Sequence, residues 1–243
     1  MNRRNTHIVR AFLLLVTLLA AGCSKMEGGW YDTENKPDQQ FAYDNVLQDN
    51  LLAVATLRSR DGVRFLQLDP KSVGYVVNAD AVEDVADGTR LFVQYKAYWS
   101  DNRPGFCTES VWVDWATPLE VGNVSSIKYE ASSELMVSDP MDIVLDWISS
   151  LEDGFLTLHY TILASGGQKH WFGLYQSALD PTHFYLRHDA QGDTAGSLTD
   201  GIVCFPVENL LPDTGEKTVT LSLTYLNLKN TPSTLTVDYR TQK

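Results

Sequence analysis

The stretch Asp87-Gly88-Thr89-Arg90-Leu91-Phe92-Val93-Gln94-Tyr95-Lys96-Ala97-Tyr98-Trp99-Ser100 decides the fold class. Leu91, Val93, Tyr95, Ala97 and Trp99 alternate with Gln94, Lys96 and Ser100. A period of two is that of a strand with one buried face, not of a helix. Asp87-Gly88 ahead of it and Asp101 to Gly105 behind it are turn chemistry.

The same signals recur on either side of this stretch. Leu51 to Leu57 is apolar, and Arg58 to Leu68 carries Asp61-Gly62, the favoured pair of a two-residue hairpin because both positions need positive φ. Val73 to Val77 is a short β-branched run. Asn78 to Asp87 is compatible with one or two helical turns. Val111, Val113 and Trp115 alternate again. Five strand segments with a short helix before the fourth predict a small barrel over residues 45–117. From Pro118 the pattern continues. Leu156, Leu158, Tyr160 and Ile162 alternate with Thr157, His159 and Thr161. Further strands are expected at Trp171 to Tyr175, Phe184 to Arg187 and Ile202 to Phe205. Two more alternate through Val219, Leu221, Leu223 and Tyr225, and through Leu235, Val237 and Tyr239. Val207 to Leu211, stopped by Pro212, is a candidate helical turn. Strands at this spacing predict a β-sandwich over residues 118–243. The expected class is all-β.

The N-terminus is of another kind. Arg3, Arg4 and Arg10 precede the uncharged apolar run Ala11 to Ala21, about 11 residues long, whereas spanning a bilayer takes roughly 20. The run fits the core of a signal peptide. It ends Leu18-Leu19-Ala20-Ala21-Gly22-Cys23, which resembles the bacterial lipobox, with Ala20 where Leu is more usual. Residues 1–22 are therefore expected to be a lipoprotein signal peptide and Cys23 the acylated first residue of the mature chain. Each buried methylene of a lipid contributes about 0.8 kcal/mol, and two or three chains hold a protein on a membrane. Residues 23–44, polar and interrupted by Gly28-Gly29 and Pro37, read as a flexible tether.

The leader carries three basic residues and no acidic ones, so the mature part keeps 16 Lys+Arg against 31 Asp+Glu, a formal charge of −15. Such a surface repels phosphate backbones and argues against nucleic-acid partners. It also argues against lying flat on anionic lipid. Cys107 and Cys204 are far apart in sequence and form no metal-ligand spacing; two buried free thiols are expected rather than a disulfide. His159, His170, His183 and His188 lie in the second half. Together with Asp189, three of them (His159, His170, His188) would make a metal or acid–base site only if their strands converged. No GxSxG elbow or phosphate-binding glycine loop is present. No catalytic, cofactor-binding or metal-ligating residue is expected. Tyr98, Trp99, Phe106, Trp112 and Trp115 cluster in the first half. Trp99, Val113 and Trp115 are expected on one face, Tyr98 and Trp112 on the other, mostly as packing.

The order Asp61-Gly62-Val63-Arg64-Phe65-Leu66-Gln67-Leu68, Asp87 to Val93, Gly154-Phe155-Leu156-Thr157-Leu158-His159-Tyr160, His170, Phe184 to Ala190 and Gly201-Ile202-Val203-Cys204-Phe205, behind a lipobox, resembles the NigD-like lipoproteins of Bacteroidetes. The resemblance covers most of the mature chain. It implies an N-terminal OB-type barrel followed by a C-terminal β-sandwich, and by association with a bacteriocin locus a role in immunity. It carries over no catalytic residues. The expected function is a non-catalytic binding or interaction module held at the envelope, its partner an envelope protein or glycan. The alternatives are an immunity-type lipoprotein that intercepts a toxin, and an envelope or glycan hydrolase built on the histidines and carboxylates of the sandwich. Ser24-Lys25-Met26-Glu27-Gly28 lacks an acidic surface-export cluster, and Ser24 is not the Asp that favours inner-membrane retention. The expected location is the outer membrane, facing the periplasm. Replacing Cys23 by Ser is expected to abolish incorporation of labelled palmitate and to move the protein out of the membrane fraction; retained label would contradict the anchor.

Overall fold

Period-two alternation becomes strands throughout the computed structural model, which describes residues 46–69, 71–126, 138–211, 213–215 and 217–240. The leader, Cys23 and the tether lie outside the described residues. Ala42–Lys243 forms one compact unit, and none of its described helices is long and apolar enough to cross a membrane.

The first five strands are β1 (Val46–Arg60), β2 (Val63–Gln67), β3 (Val73–Val76), β4 (Arg90–Tyr98) and β5 (Glu109–Pro118). They close in the order β1-β2-β3-β5-β4. β1 is long enough to serve two neighbours. It pairs with β4 from Val46↔Tyr98 to Thr56↔Arg90, and with β2 from Thr56↔Gln67 to Arg60↔Val63. Register shifts on either side of Gln48, and Asn50 at φ 56°, bend it between the two tasks. The β1–β2 turn is the expected one, with Asp61 at φ 53° and Gly62 at φ 79°. Ala55, Leu57, Leu66, Val76, Leu91, Val93, Val111 and Val113 fill the interior. The helical stretch expected at Asn78 to Asp87 is a single 3₁₀ turn, Ala79–Val82, whose buried Val82 joins that core. The Asn78 side chain pairs with the backbone of Val113 through both its oxygen and its nitrogen, at 2.9 and 2.8 Å, and so continues the β3–β5 ladder into the turn.

Two five-stranded sheets follow. One runs β6 (Glu120–Val121), β13 (Ser197–Pro206), β10 (Phe155–Ala164), β8 (Asp142–Val144), with β9 (Ser150–Glu152) also on β10. The other runs β15 (Pro232–Tyr239), β14 (Val219–Leu226), β12 (His183–Asp189), β11 (Trp171–Gln176), β7 (Asn123–Ser126). Leu156, Leu158, Tyr160 and Ile162 from the first meet Phe172, Leu174, Phe184, Leu186, Leu221 and Leu223 from the second. The hairpin reading is incomplete here: β6–β13, β7–β11 and β12–β14 pair in parallel. The short β6 and β7 were not among the expected strands, because Glu120 to Ser126 is too polar and too brief to show a period. The chain passes from one sheet to the other at Gly122, where any Cβ would overlap the Phe205 ring. The turn at Val207 to Leu211 forms, with the Leu210 and Leu211 N–H groups on the Val207 carbonyl.

One expected face is corrected. β4 and β5 pair Tyr95↔Val113 and Gln94↔Trp115, so Asp114 is left over as a bulge. The extra residue reverses the alternation. Val113 points into the barrel, while Trp115 lies outside, donating its indole N–H to Gln94 Oε1. Lys96 holds the bulged Asp114. Trp99 lies past the end of β4 and is 58% exposed. Tyr98 and Trp112 pack together outside the barrel, ring centroids 5.8 Å apart.

Gly201, opposite Tyr160 on the β10–β13 ladder, has no room for a Cβ, which would overlap the Tyr160 ring. Gly201→Ala is expected to cost about 1–3 kcal/mol, read as a lower urea midpoint, whereas Gly105→Ala, with open space around it, should leave the midpoint unchanged.

Candidate functional site

Arg90 opens β4, and its even-numbered register aims the side chain out of the barrel. It is 2% exposed because the sandwich covers it. Its Nη1 donates to Thr56 Oγ1 at 3.0 Å, on the neighbouring barrel strand, and its Nε to Thr157 Oγ1 at 3.4 Å, on β10. Nη2 lies 3.7 Å from Glu152 Oε2, and the guanidinium sits 5.9 Å from the centre of the Phe155 ring. Burial pulls its pKa down, opposed by the charges of Glu152 and Asp153; a guanidinium remains protonated regardless. Burial in turn raises the Glu152 pKa, with Arg90 opposing.

Two contacts flank this residue. Arg58 of β1 donates through Nε (3.2 Å) and Nη2 (3.0 Å) to Asp153 Oδ2. Asp153 and Gly154 form the β9–β10 turn at φ 48° and 81°, so the turn chemistry itself presents the carboxylate. On the other side Trp147, in the β8–β9 connection, stacks on Phe92 with centroids 6.0 Å apart; Phe92 also contacts Trp115 at 5.5 Å. Trp147 remains 54% exposed, and Leu145 beside it 74%.

A cleft of about 530 Å³ opens at this junction. Arg58 and Gln67 line it from the barrel, and Glu152, Asp153, Glu208, Tyr239 and Arg240 are among the sandwich residues lining the remainder. A concave, mixed-charge site where two modules meet is a common location for ligand or partner binding.

The histidines divide between places. His159, on the outer side of its strand as expected, has Nδ1 2.7 Å from Asp146 Oδ2. His170 Nδ1 is 2.8 Å from His188 Nε2, beside Asp193. His183 Nε2 meets Thr224 Oγ1 at 3.0 Å. His170 and His188 thus converge on each other, in the second sheet, and His159 belongs to the first; the described residues hold no group of three or more His, Cys, Asp or Glu arranged to hold a metal. Cys107 and Cys204 are both free and buried, as expected. Burial pushes the Cys204 thiol up to about 11, against the opposing charge of Arg90. Sequence reading passed over Arg90 and Trp147; a lone Arg at the head of an apolar strand was the one visible sign of the former.

Residues 123–239 match the NigD-like C-terminal β-sandwich domain. Among solved structures, the chain is similar to one described as a "Putative TOXIN related protein" from Parabacteroides distasonis ATCC 8503 (22% identity, TM-score 0.66, 79% of this chain and 94% of that one). It is also similar to a protein of unknown function, DUF1344, from Bacteroides vulgatus ATCC 8482 (18%, TM-score 0.63, 78% and 90%). A third is a NigD-like immunity protein from Bacteroides caccae ATCC 43185 (18%, TM-score 0.56, 79% and 98%). Curated proteins yield no match. At these identities the structural likenesses establish a shared fold.

Removing Arg90 strands Glu152 and two buried hydroxyls. Arg90→Ala and Arg90→Met both remove the partner of these groups, and each is expected to destabilise the protein by about 3–5 kcal/mol in urea unfolding. A Met variant as stable as the unchanged protein would show that the junction needs the volume of this side chain and not its charge.

Proposed function

We propose, for a chain that belongs to the NigD-like family, that it is a lipid-anchored, non-catalytic interaction protein of the cell envelope, and that the surface it presents is the junction cleft, with the exposed Trp147 on the other side of Arg90 as a second point of contact. The observation that carries this reading is the buried Arg90 contact. It fixes the barrel against the sandwich, so the cleft walls are preorganised, and a preorganised surface loses less entropy on binding. Trp147 supplies a partly exposed aromatic of the kind that anchors protein or glycan partners. Cys23 and the tether over residues 23–44 would hold this surface within reach of the outer membrane, on its periplasmic side.

An immunity-type role is favoured by one specific observation, the formal charge of −15 on the chain from Cys23 onward. A strongly acidic protein attracts a basic one and speeds their encounter. Similarity to a protein described as a NigD-like immunity protein agrees with that reading.

A photo-crosslinking residue placed at Glu208 in the lipidated full-length protein, in its own envelope, is expected to capture a discrete partner. The same residue at Asp101, on the β4–β5 connection and outside the cleft, is expected to capture none. Equal capture at both positions, or none at Glu208, would contradict the assignment of the surface.

A further inference from the structure

Beneath the β10–β11 connection lies a buried chain of three titratable groups that the junction does not use. His188 is 1% exposed, and the side chains of His170 and Asp193 are 8% and 5% exposed. His188 Nδ1 faces the Asp139 carbonyl at 3.3 Å. A carbonyl only accepts, so Nδ1 carries the proton and Nε2 is bare. His188 Nε2 lies 2.8 Å from His170 Nδ1, and that contact holds one proton, donated by His170. His170 Nε2 then faces Asp193 Oδ2 at 3.5 Å. Ser165 donates both its N–H (2.9 Å) and its hydroxyl (2.7 Å) to Asp193 Oδ1. These bonds hold the Asp193 carboxyl down at about 2, so it is ionised wherever histidines titrate.

We propose that His188, His170 and Asp193 form a proton-sensitive latch, which fastens the Ser165–His170 connection to the turn at Ala190–Asp193 at neutral pH and releases it in acid. One added proton has a place, on His170 Nε2 toward Asp193. A second has none. It can go only to His188 Nε2, where it points head-on at the His170 Nδ1–H, and two donors cannot share a 2.8 Å contact. Phe172 stacks on the His188 ring at 5.1 Å and offers no acceptor. The other charges nearby are already engaged. Asp139 Oδ2 accepts from the Ala190 N–H, and Asp189 Oδ1 from the Gln191 N–H. Lys169 lies over the Trp171 ring at 4.2 Å and 3.6 Å from Glu120.

The sign follows from the histidine itself. Burial, and then the charge of His170, pull the His188 pKa below 6.5. The first proton, shared between His170 and Asp193, leaves the latch closed; the second, on His188, is bound by the open latch and not by the closed one. The closed state therefore loses stability as pH falls below about 6.5 toward the lowered His188 pKa. Opening frees Lys169 from Glu120 and uncovers the start of β11 at Trp171.

Amide hydrogen exchange on the full chain tests this. Corrected for intrinsic rate, the Ser165 amide is expected to exchange about tenfold faster at pH 5 than at pH 7.5, with β10 amides unchanged. His188→Phe keeps the stack on Phe172 and removes the second protonation; His170→Gln keeps a donor to His188 and offers an oxygen to its protonated form. Each is expected to abolish the acid step, and the second serves if the first fails to fold. A Ser165 amide equally protected at both pH values, or an acid step that survives in the folded variants, would overturn the proposal.

Discussion

The buried guanidinium of Arg90 is the contact on which the arrangement of the two modules depends. A charge 2% exposed is costly to desolvate and is tolerated only where paired. Here the partners come from both sides: Thr56 from the barrel, Thr157 and Glu152 from the sandwich. Neither module alone completes the set. The start of the outer face of β4, at Arg90 and Phe92, is therefore covered by the sandwich rather than free, and the ligand-sized concavity lies at the seam. Arg58 to Asp153 and Phe92 to Trp147 add a polar and an aromatic contact on either side.

Local chemistry made much of this readable in sequence. Asp61-Gly62 and Asp153-Gly154 announce turns because both members take positive φ, and the alternation from Leu156 to Ile162 places the core face of β10 correctly. What escaped the sequence is what depends on distant partners. β6 and β7 exist because β13 and β11 offer parallel edges, not through any pattern of their own. The Asp114 bulge turns Trp115 outward, and one inserted residue leaves no mark on an alternating string. The pairing of His170 with His188 was equally hidden, since β11 and β12 bring them together only through the register Phe172↔His188. Arg90 looked like an ordinary polar residue at a strand's start; its burial is a property of the sandwich beneath it.

The acidic surface, the exposed Trp147 and the seam cleft belong to a platform whose two halves keep one orientation, which suits recognition by surface complementarity. The histidine latch lies elsewhere, in the second sheet, so any response to acid would remodel the Lys169–Trp171 surface without loosening the seam.

If Arg90 joins barrel and sandwich into one cooperative unit, equilibrium urea unfolding of the intact protein, followed amide by amide through hydrogen exchange in both halves, will show it. A single shared transition is expected, with the slowest amides of β4 and of β10 reporting the same unfolding free energy. Two separated transitions, with one module folded while the other is open, would contradict it.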